Sequence, residues 1–126
     1  MSNSIINAAL LSYGMSGRVF HAPFIDLHPG FSLAGAWERS NKNIEKDYPG
    51  VKSFASMEEI LSDPTIDLVV VNTPTYSHYE YALASLHAGK HIVVEKAFTT
   101  NLEEALTLQA LAKVKSKHIF VYQNRR

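Results

Sequence analysis

The sequence predicts an α/β fold with a doubly wound parallel sheet of about six strands and helices on both faces. Two observations carry this prediction: short apolar runs rich in β-branched residues recur along the chain, and longer segments with helical spacing separate them. Apolar runs without polar alternation are typical of parallel strands covered on both faces. Strands that alternate with helices form right-handed crossovers within one parallel sheet. The 126 residues have the size of a single domain.

Six apolar runs are the candidate strands, and turn residues separate several of them. The runs cover residues 5–11, 31–37, 51–54, 67–72, 91–94 and 118–122. Pro29 and Gly30 precede the second run, and Pro74 follows the fourth. Proline and glycine favour turns and interrupt strands, so these positions bound the predicted strands.

Helix signals stand between these runs. The capping-box pattern, serine followed three positions later by glutamate, occurs at residues 56–59 and 77–80 and predicts that each serine caps a helix. The second of these helices is predicted to end at Gly89, because glycine favours the left-handed backbone beyond a helix end. Another helix opens at Asn101, and a further one covers about residues 41–48.

Charge and composition exclude several classes of protein. Lysine plus arginine and aspartate plus glutamate each number 12, so the formal net charge is +0, which argues against nucleic acid and against a charged membrane surface as partners. No cysteine is present, so disulfides, thiol nucleophiles and cysteine metal sites are excluded, and no metal site is predicted. The chain shows neither a charged leader before a long apolar run nor a run long enough to span a membrane. We therefore expect a soluble cytoplasmic protein.

The loop after the first predicted strand has the features of a dinucleotide-binding turn. In such a turn Gly14 allows the backbone to approach a pyrophosphate, and Gly17 allows the next helix to pack closely. The N-terminus of that helix offers unpaired N–H groups to the phosphates. Gly-x-x-Gly alone is weakly specific, and the alternative is an ordinary tight turn. The loop residues predicted to bind the cofactor are Ser12, Tyr13, Gly14, Met15, Ser16 and Gly17.

An acidic residue stands where such a fold places a ribose ligand. Glu38 follows the second predicted strand, about 20 positions beyond Gly17, and a carboxylate there accepts hydrogen bonds from the ribose hydroxyls of NAD. Arg39 and Ser40 come next, and an arginine at this point can pair with the 2′-phosphate of NADP. The alternative is a solvated loop. We expect NADP or NAD as the cofactor, with NADP slightly favoured.

Two further segments end strands at the same predicted edge. Thr73 and Pro74 end the fourth run, although a plain strand stop explains them equally well. His78, also predicted to bind the cofactor, lies in the first turn of the next helix, where the helix dipole favours a neutral hydrogen-bonding or exposed role over that of a general base. Glu95 and Lys96 end the fifth run, and the Lys96 ammonium could donate to the oxygen of a substrate alcohol or carbonyl. On spacing alone, a surface lysine at the sheet rim is the simpler interpretation.

Taken together, these segments resemble the N-terminal NAD(P)-binding domain of the glucose–fructose oxidoreductase/inositol dehydrogenase (Gfo/Idh/MocA) family, a Rossmann-type domain. The matching segments, in the family's order, are YGMSGRVFHAPF at 13–24, WERS at 37–40, NTPTYSH at 72–78, AGKHIVVEK at 88–96 and VYQNRR at 121–126. They extend over nearly the whole chain, so the resemblance is more specific than the glycines alone. Pro23, in the first helical stretch, also follows the family's pattern.

The resemblance implies an NAD(P)-dependent oxidoreductase that transfers hydride between the nicotinamide and a carbon of a sugar, polyol or related small molecule. Lys96 takes the place of the lysine in the family's Glu-Lys-Pro motif, which contacts the reacting oxygen and assists proton transfer. Glu95 takes the glutamate position near the nicotinamide ribose. Gln123 and Asn124 fall where the family approaches the nicotinamide and begins its second domain.

The sequence departs from the family's pattern in three ways. Ala97 replaces the motif proline, which removes a backbone constraint after the lysine. Ser12 replaces the usual first glycine. The chain ends at Arg126, where family members continue into an antiparallel α/β domain that supplies substrate contacts, a catalytic histidine and the oligomer interface. We therefore expect residues 1–126 to bind cofactor but to be catalytically incomplete, and homo-oligomers to need that second domain.

Two other functions remain open at this stage. A non-catalytic nucleotide-binding module with a regulatory or sensing role is favoured by Ala97 and by the lack of the second domain. Methyl transfer from S-adenosylmethionine also uses a glycine loop and an acidic residue, but the Gly-x-x-Gly spacing and the pair formed by Glu95 and Lys96 argue against it.

Overall fold

The computed structural model describes residues 5–13, 21–27, 29–38, 43–73, 77–95 and 102–122. The elements in chain order are β1 (Ile6–Leu10), α1 (Ala22–Leu27), β2 (Phe31–Trp37), α2 (Asn43–Asp47), β3 (Lys52–Phe54), α3 (Met57–Leu61), β4 (Leu68–Val71), α4 (His78–His87), β5 (His91–Glu95), α5 (Leu102–Lys115) and β6 (Ile119–Tyr122). The strands form one sheet in the order β3-β2-β1-β4-β5-β6, and every adjacent pair is parallel. The predicted doubly wound α/β fold is confirmed.

Each strand lies within the apolar run that predicted it or extends that run by one residue. The four residues of β4 are all buried, because this central strand is covered on both sides. Val69 and Val71 contribute to the core beneath α4 and α5, whereas Leu68 and Val70 contribute to the core beneath α1 and α2. Successive side chains of a strand point to opposite faces, so one apolar run serves both cores.

The two capping-box predictions have different outcomes. At α3 the prediction is confirmed: the Ser56 hydroxyl accepts the Glu59 N–H at 3.3 Å, and the Glu59 carboxylate accepts the Ala55 N–H at 2.9 Å. At α4 it is wrong, because the Ser77 side chain makes no capping hydrogen bond. Ser77 has helical backbone angles, φ −99° and ψ −4°, whereas a capping serine needs an extended backbone.

The end of α4 follows the prediction at Gly89. Gly89 has φ +83°, its N–H donates to the Leu86 carbonyl at 2.9 Å, and the Lys90 N–H donates to the Ser85 carbonyl at 3.0 Å. These two bonds form a Schellman motif, which satisfies carbonyls that the helix end would leave unpaired. The chain then enters β5 directly.

Gly35 allows β2 and β3 to approach each other closely. A Cβ atom at this position would overlap the carbonyl oxygen of Lys52 and lie 2.6 Å from the ring of Phe54. Gly35 pairs with Lys52 across the β2–β3 ladder and with Ala9 on the other side, next to an irregularity in the β1–β2 register. The absence of a side chain is therefore a packing requirement.

The amino-terminal edge of the sheet holds two buried or half-buried basic groups. The buried Lys90 ammonium donates to the carbonyls of Asp63 and Ile66 at 2.7 and 2.8 Å, and burial lowers the pKa of Lys90. The His91 ring stacks on His118 with 5.3 Å between centroids, and its Nδ1 accepts the His118 N–H at 3.0 Å. Burial, and then the nearby Lys117 and His118, lower the pKa of His91.

Within the described ranges, no helix combines the length and the apolar character needed to cross a lipid bilayer.

Candidate functional site

Four neighbouring strands end side by side at the carboxyl edge of the sheet. Ser12 and Tyr13 follow β1, Glu38 follows β2, Thr73 lies just beyond β4, and Glu95 is the last residue of β5. In doubly wound sheets, ligands bind outside the carboxyl ends of the strands, at the point where the strand order reverses. Here the order reverses between β1 and β4. The structure therefore brings six of the predicted site residues, His78 included, to the edge where such a fold binds ligands.

Asn72 joins the two strands at this reversal point. Its side-chain nitrogen donates to the Ser12 carbonyl at 2.8 Å, and the residue is buried, with 7% of its surface exposed. Its side-chain oxygen is buried and has no hydrogen-bond partner. The sequence interpretation assigned Asn72 to the strand and missed it as a site residue. The available signal was an amide directly after a fully apolar run, at the edge predicted to bind the ligand.

The segment after Asn72 is held by two hydrogen bonds. The hydroxyls of Thr73 and Ser77 are 2.7 Å apart, and the His78 Nε2–H donates to the Thr73 carbonyl at 2.7 Å. His78 is almost completely buried, at 1% exposure. Its ring therefore supports the backbone that leads out of β4 and is not exposed, and its predicted role toward the cofactor stays a prediction.

Tyr13 uses its side chain to support the fold. The ring packs into the core beneath α1 and α2, and the hydroxyl donates to the Asp47 carboxylate at 2.6 Å. This bond links the end of β1 to the last residue of α2. The side chain of Tyr13 thus fixes α2 to the segment that directly follows β1, and its role toward a cofactor stays a prediction.

Glu38 connects the end of β2 to α2 and β3. Its carboxylate accepts the backbone N–H groups of Asn43 and Ile44 at 3.2 and 2.9 Å and the Ser53 hydroxyl at 3.2 Å, and its own N–H donates to the Phe54 carbonyl at 3.1 Å. A carboxylate has about four acceptor positions, and three are used. One position remains for a ligand hydroxyl, so the role of Glu38 toward a ribose stays a prediction.

Ten of the predicted site residues lie outside the described residues. They are Gly14, Met15, Ser16, Gly17, Arg39, Ser40, Pro74, Lys96, Gln123 and Asn124. Their roles stay predictions. Among the residues that the structure does describe, no cluster of three or more histidine, cysteine, aspartate or glutamate side chains could hold a metal ion.

The described part of the edge fits a nicotinamide dinucleotide. Such a cofactor carries hydroxyl donors on its riboses and only acceptors on its pyrophosphate. The edge offers a buried, unpaired acceptor at Asn72 after β4 and one unused acceptor position at Glu38 after β2, and β1 lies between these two strands. Acceptors on both sides of β1 match a ligand with a ribose on each side of a pyrophosphate.

Comparisons with known proteins identify the family of this domain. The profile of an oxidoreductase family with an NAD-binding Rossmann fold, Gfo/Idh/MocA, matches residues 6–123. A curated relative, scyllo-inositol 2-dehydrogenase (NADP(+)) IolW of Bacillus subtilis, is 39% identical over 121 residues, which are 96% of this chain and 34% of that protein. The chain therefore spans about a third of the length of this relative.

Solved structures share the fold over nearly the whole chain. A candidate oxidoreductase from Bacteroides fragilis is 50% identical with a TM-score of 0.94, over 98% of this chain and 38% of that chain. GenD2 from gentamicin A biosynthesis, crystallised in complex with NAD, is 25% identical with a TM-score of 0.87, over 94% of this chain and 34% of that chain.

Proposed function

This chain belongs to the Gfo/Idh/MocA oxidoreductase family, and from that premise we propose that it is the cofactor-binding part of an enzyme that transfers hydride between a nicotinamide dinucleotide and a sugar, a polyol or a related small hydroxy or carbonyl compound. The observation that carries the proposal is the junction of β1 and β4, where Asn72 holds the loop after β1 and keeps a buried acceptor unpaired. The polyol named for IolW supports the substrate class.

The cofactor is held by the edge residues in the order of the strands. Glu38 stands at the end of β2 for the adenosine ribose, residues 12–17 follow β1 for the pyrophosphate, and Thr73 follows β4. When bound, the nicotinamide supplies the carbon that accepts or donates hydride. Lys96, directly after β5, donates a hydrogen bond to the oxygen of the reacting carbon and exchanges the proton there. Glu95, Gln123 and Asn124 line the nicotinamide side.

We further propose that both NAD and NADP bind and that NADP is slightly preferred. Three hydrogen bonds already engage the Glu38 carboxylate, which leaves it a weaker ligand for a 2′-hydroxyl. The neighbouring Arg39 can pair with a 2′-phosphate through two parallel hydrogen bonds. The NADP(+) in the name of IolW supports this preference, and the NAD in the GenD2 crystal supports binding of either form in the family.

The 126 residues are proposed to bind cofactor but to turn over little substrate by themselves. The relative IolW is about three times as long, and the family resemblance implies that a second domain supplies the substrate contacts and the oligomer interface. The lack of cysteine, and therefore of disulfides, fits the reducing cytoplasm, which is the proposed location.

Titration of the 126-residue chain with NADPH and NADH, followed by nicotinamide fluorescence, tests this function. We expect both to bind, with NADPH tighter by about 3- to 10-fold, a difference that matches one charge-assisted contact. Arg39→Ala should remove this preference, whereas Lys46→Ala, which removes an exposed cation from α2, should not.

The outcomes separate the parts of the proposal. A chain that binds neither dinucleotide contradicts the function, and a strong NADH preference that Arg39→Ala leaves unchanged contradicts the NADP preference. Oxidation of polyols or sugars above background by the 126 residues alone would contradict their catalytic incompleteness.

A further inference from the structure

The unpaired oxygen of Asn72 is the starting point of a more specific assignment, which rests on the function proposed above. Buried polar atoms are nearly always hydrogen-bonded, because an unpaired one loses its water without compensation. Asn72 is more than nine-tenths buried, and its side-chain oxygen has no partner. Such an atom at a binding edge indicates a ligand group that donates a hydrogen bond.

The orientation of the amide follows from its other contact. The Ser12 carbonyl can only accept a hydrogen bond, so the atom 2.8 Å from it is the nitrogen of the Asn72 amide. Rotating the amide by half a turn would bring two oxygens together. The unpaired atom is therefore the acceptor, and its ligand partner carries an O–H or N–H.

The strand order identifies which part of the cofactor lies nearest. The predicted ribose ligand Glu38 ends β2, the predicted pyrophosphate loop follows β1, and Asn72 follows β4, on the far side of that loop. A dinucleotide that crosses the edge in this order places its adenosine ribose at β2 and its second ribose at β4. The pyrophosphate has only acceptor oxygens, so it cannot pair with the Asn72 oxygen directly.

The side-chain oxygen of Asn72 differs from the neighbouring Thr73 groups in being buried without a partner. The carbonyl of Thr73 accepts from His78, and the hydroxyl of Thr73 bonds with that of Ser77. We propose that the side-chain oxygen of Asn72 accepts a hydrogen bond from a hydroxyl of the nicotinamide-side ribose. One amide thus holds the loop after β1 through its nitrogen and the second ribose through its oxygen.

Calorimetric titration with ligands that contain or lack the second ribose tests this assignment. The probes are NADPH, NADH, 2′-phospho-ADP-ribose, which has the second ribose, and 2′-phospho-ADP, which lacks it. In Asn72→Ala, we expect the affinities for NADPH and for 2′-phospho-ADP-ribose to fall. Their fall should exceed that of the affinity for 2′-phospho-ADP by about 3- to 10-fold, as the loss of one hydrogen bond predicts.

Two further variants separate binding from folding. Asn7→Ala is a matched control, because the Asn7 side-chain nitrogen donates to the Thr65 carbonyl at 2.8 Å at the opposite edge of the sheet. Asn7→Ala should lower the free energy of unfolding. It should leave unchanged the ratio of the affinity for 2′-phospho-ADP-ribose to the affinity for 2′-phospho-ADP. Asn72→Asp loses the donor to Ser12 but keeps an acceptor oxygen, so the ratio should stay near that of the wild type.

The possible results discriminate between the assignment and the proposed function. Equal weakening of both truncated probes in Asn72→Ala means that Asn72 acts only through Ser12, and it overturns the assignment while cofactor binding stands. Unchanged affinities for all four probes in Asn72→Ala overturn the assignment as well. If Asn72→Ala does not fold, Asn72→Asp decides: a lower ratio of the affinity for 2′-phospho-ADP-ribose to that for 2′-phospho-ADP than in the wild type overturns the assignment. A wild-type chain that binds neither NADPH nor NADH overturns the proposed function itself.

Discussion

Replacing Glu38 by alanine should destabilise the fold, because its carboxylate connects three elements. The backbone N–H groups of Asn43 and Ile44 and the hydroxyl of Ser53 would each lose an acceptor. Loss of a helix cap costs about 0.5–2 kcal/mol, and loss of the hydroxyl bond adds about 1 kcal/mol, since water reaches this half-buried site and replaces part of each bond. We therefore expect the free energy of unfolding to fall by about 1.5–3 kcal/mol.

Urea denaturation followed by circular dichroism measures this change directly. For a domain of this size the expected loss corresponds to a decrease in melting temperature of roughly 10 °C. Glu38→Gln should lose about half as much, because its single carbonyl oxygen can accept from one of the two N–H groups. Glu58→Gln, an exposed change in the first turn of α3, should stay within about 0.5 kcal/mol of the wild type. A Glu38→Ala chain as stable as this control would refute the role derived from the hydrogen bonds.

Two further predictions concern the sheet and its amino-terminal edge. Gly35→Ala should lower the free energy of unfolding by about 3 kcal/mol, because the new methyl group overlaps the Lys52 carbonyl. A decrease below about 1 kcal/mol in urea denaturation would contradict this, because it would show that β3 can move away from β2 at little cost. The folded-state pKa of His91 lies below its unfolded value of about 6.5, so protonation favours the unfolded chain and stability falls as the pH is lowered through and below 6.5. His91→Phe keeps a ring against His118 and should reduce the difference in unfolding free energy between pH 7.5 and pH 5.5. Parallel curves of unfolding free energy against pH for the two proteins would show that His91 does not cause the pH dependence.

Most of the architecture was predictable because it depends on local signals. Runs of β-branched residues identified the strands to within one residue at most ends, and Gly89 identified the end of α4. The capping prediction at Ser77 failed because the same four-residue pattern is compatible with two backbone conformations. Here Ser77 bonds to Thr73 instead, a contact that depends on the path of the chain out of β4.

The site was predictable in outline, but its contacts were not. Parallel strands end at one edge, so the placement of Glu38 and Thr73 followed from the fold class. The three partners of Glu38 did not, because Ser53 lies 15 positions away and is brought close only by the pairing of β2 with β3. The contact of Asn72 was hidden for the same reason, since its partner Ser12 is distant in sequence, and the amide after the apolar run indicated only its place at the edge.

The hydrogen bond between Asn72 and Ser12 also bears on how the chain folds. It joins residues 60 positions apart, whereas the other adjacent strand pairs join residues less than half as far apart. Bringing distant segments together costs more chain entropy and slows folding. The two halves of the sheet can gain their helices and strands from nearby contacts before they meet, but the corner proposed to bind the dinucleotide forms only after they have docked. Cofactor added during refolding would therefore act on the last step of assembly and leave the earlier ones unchanged.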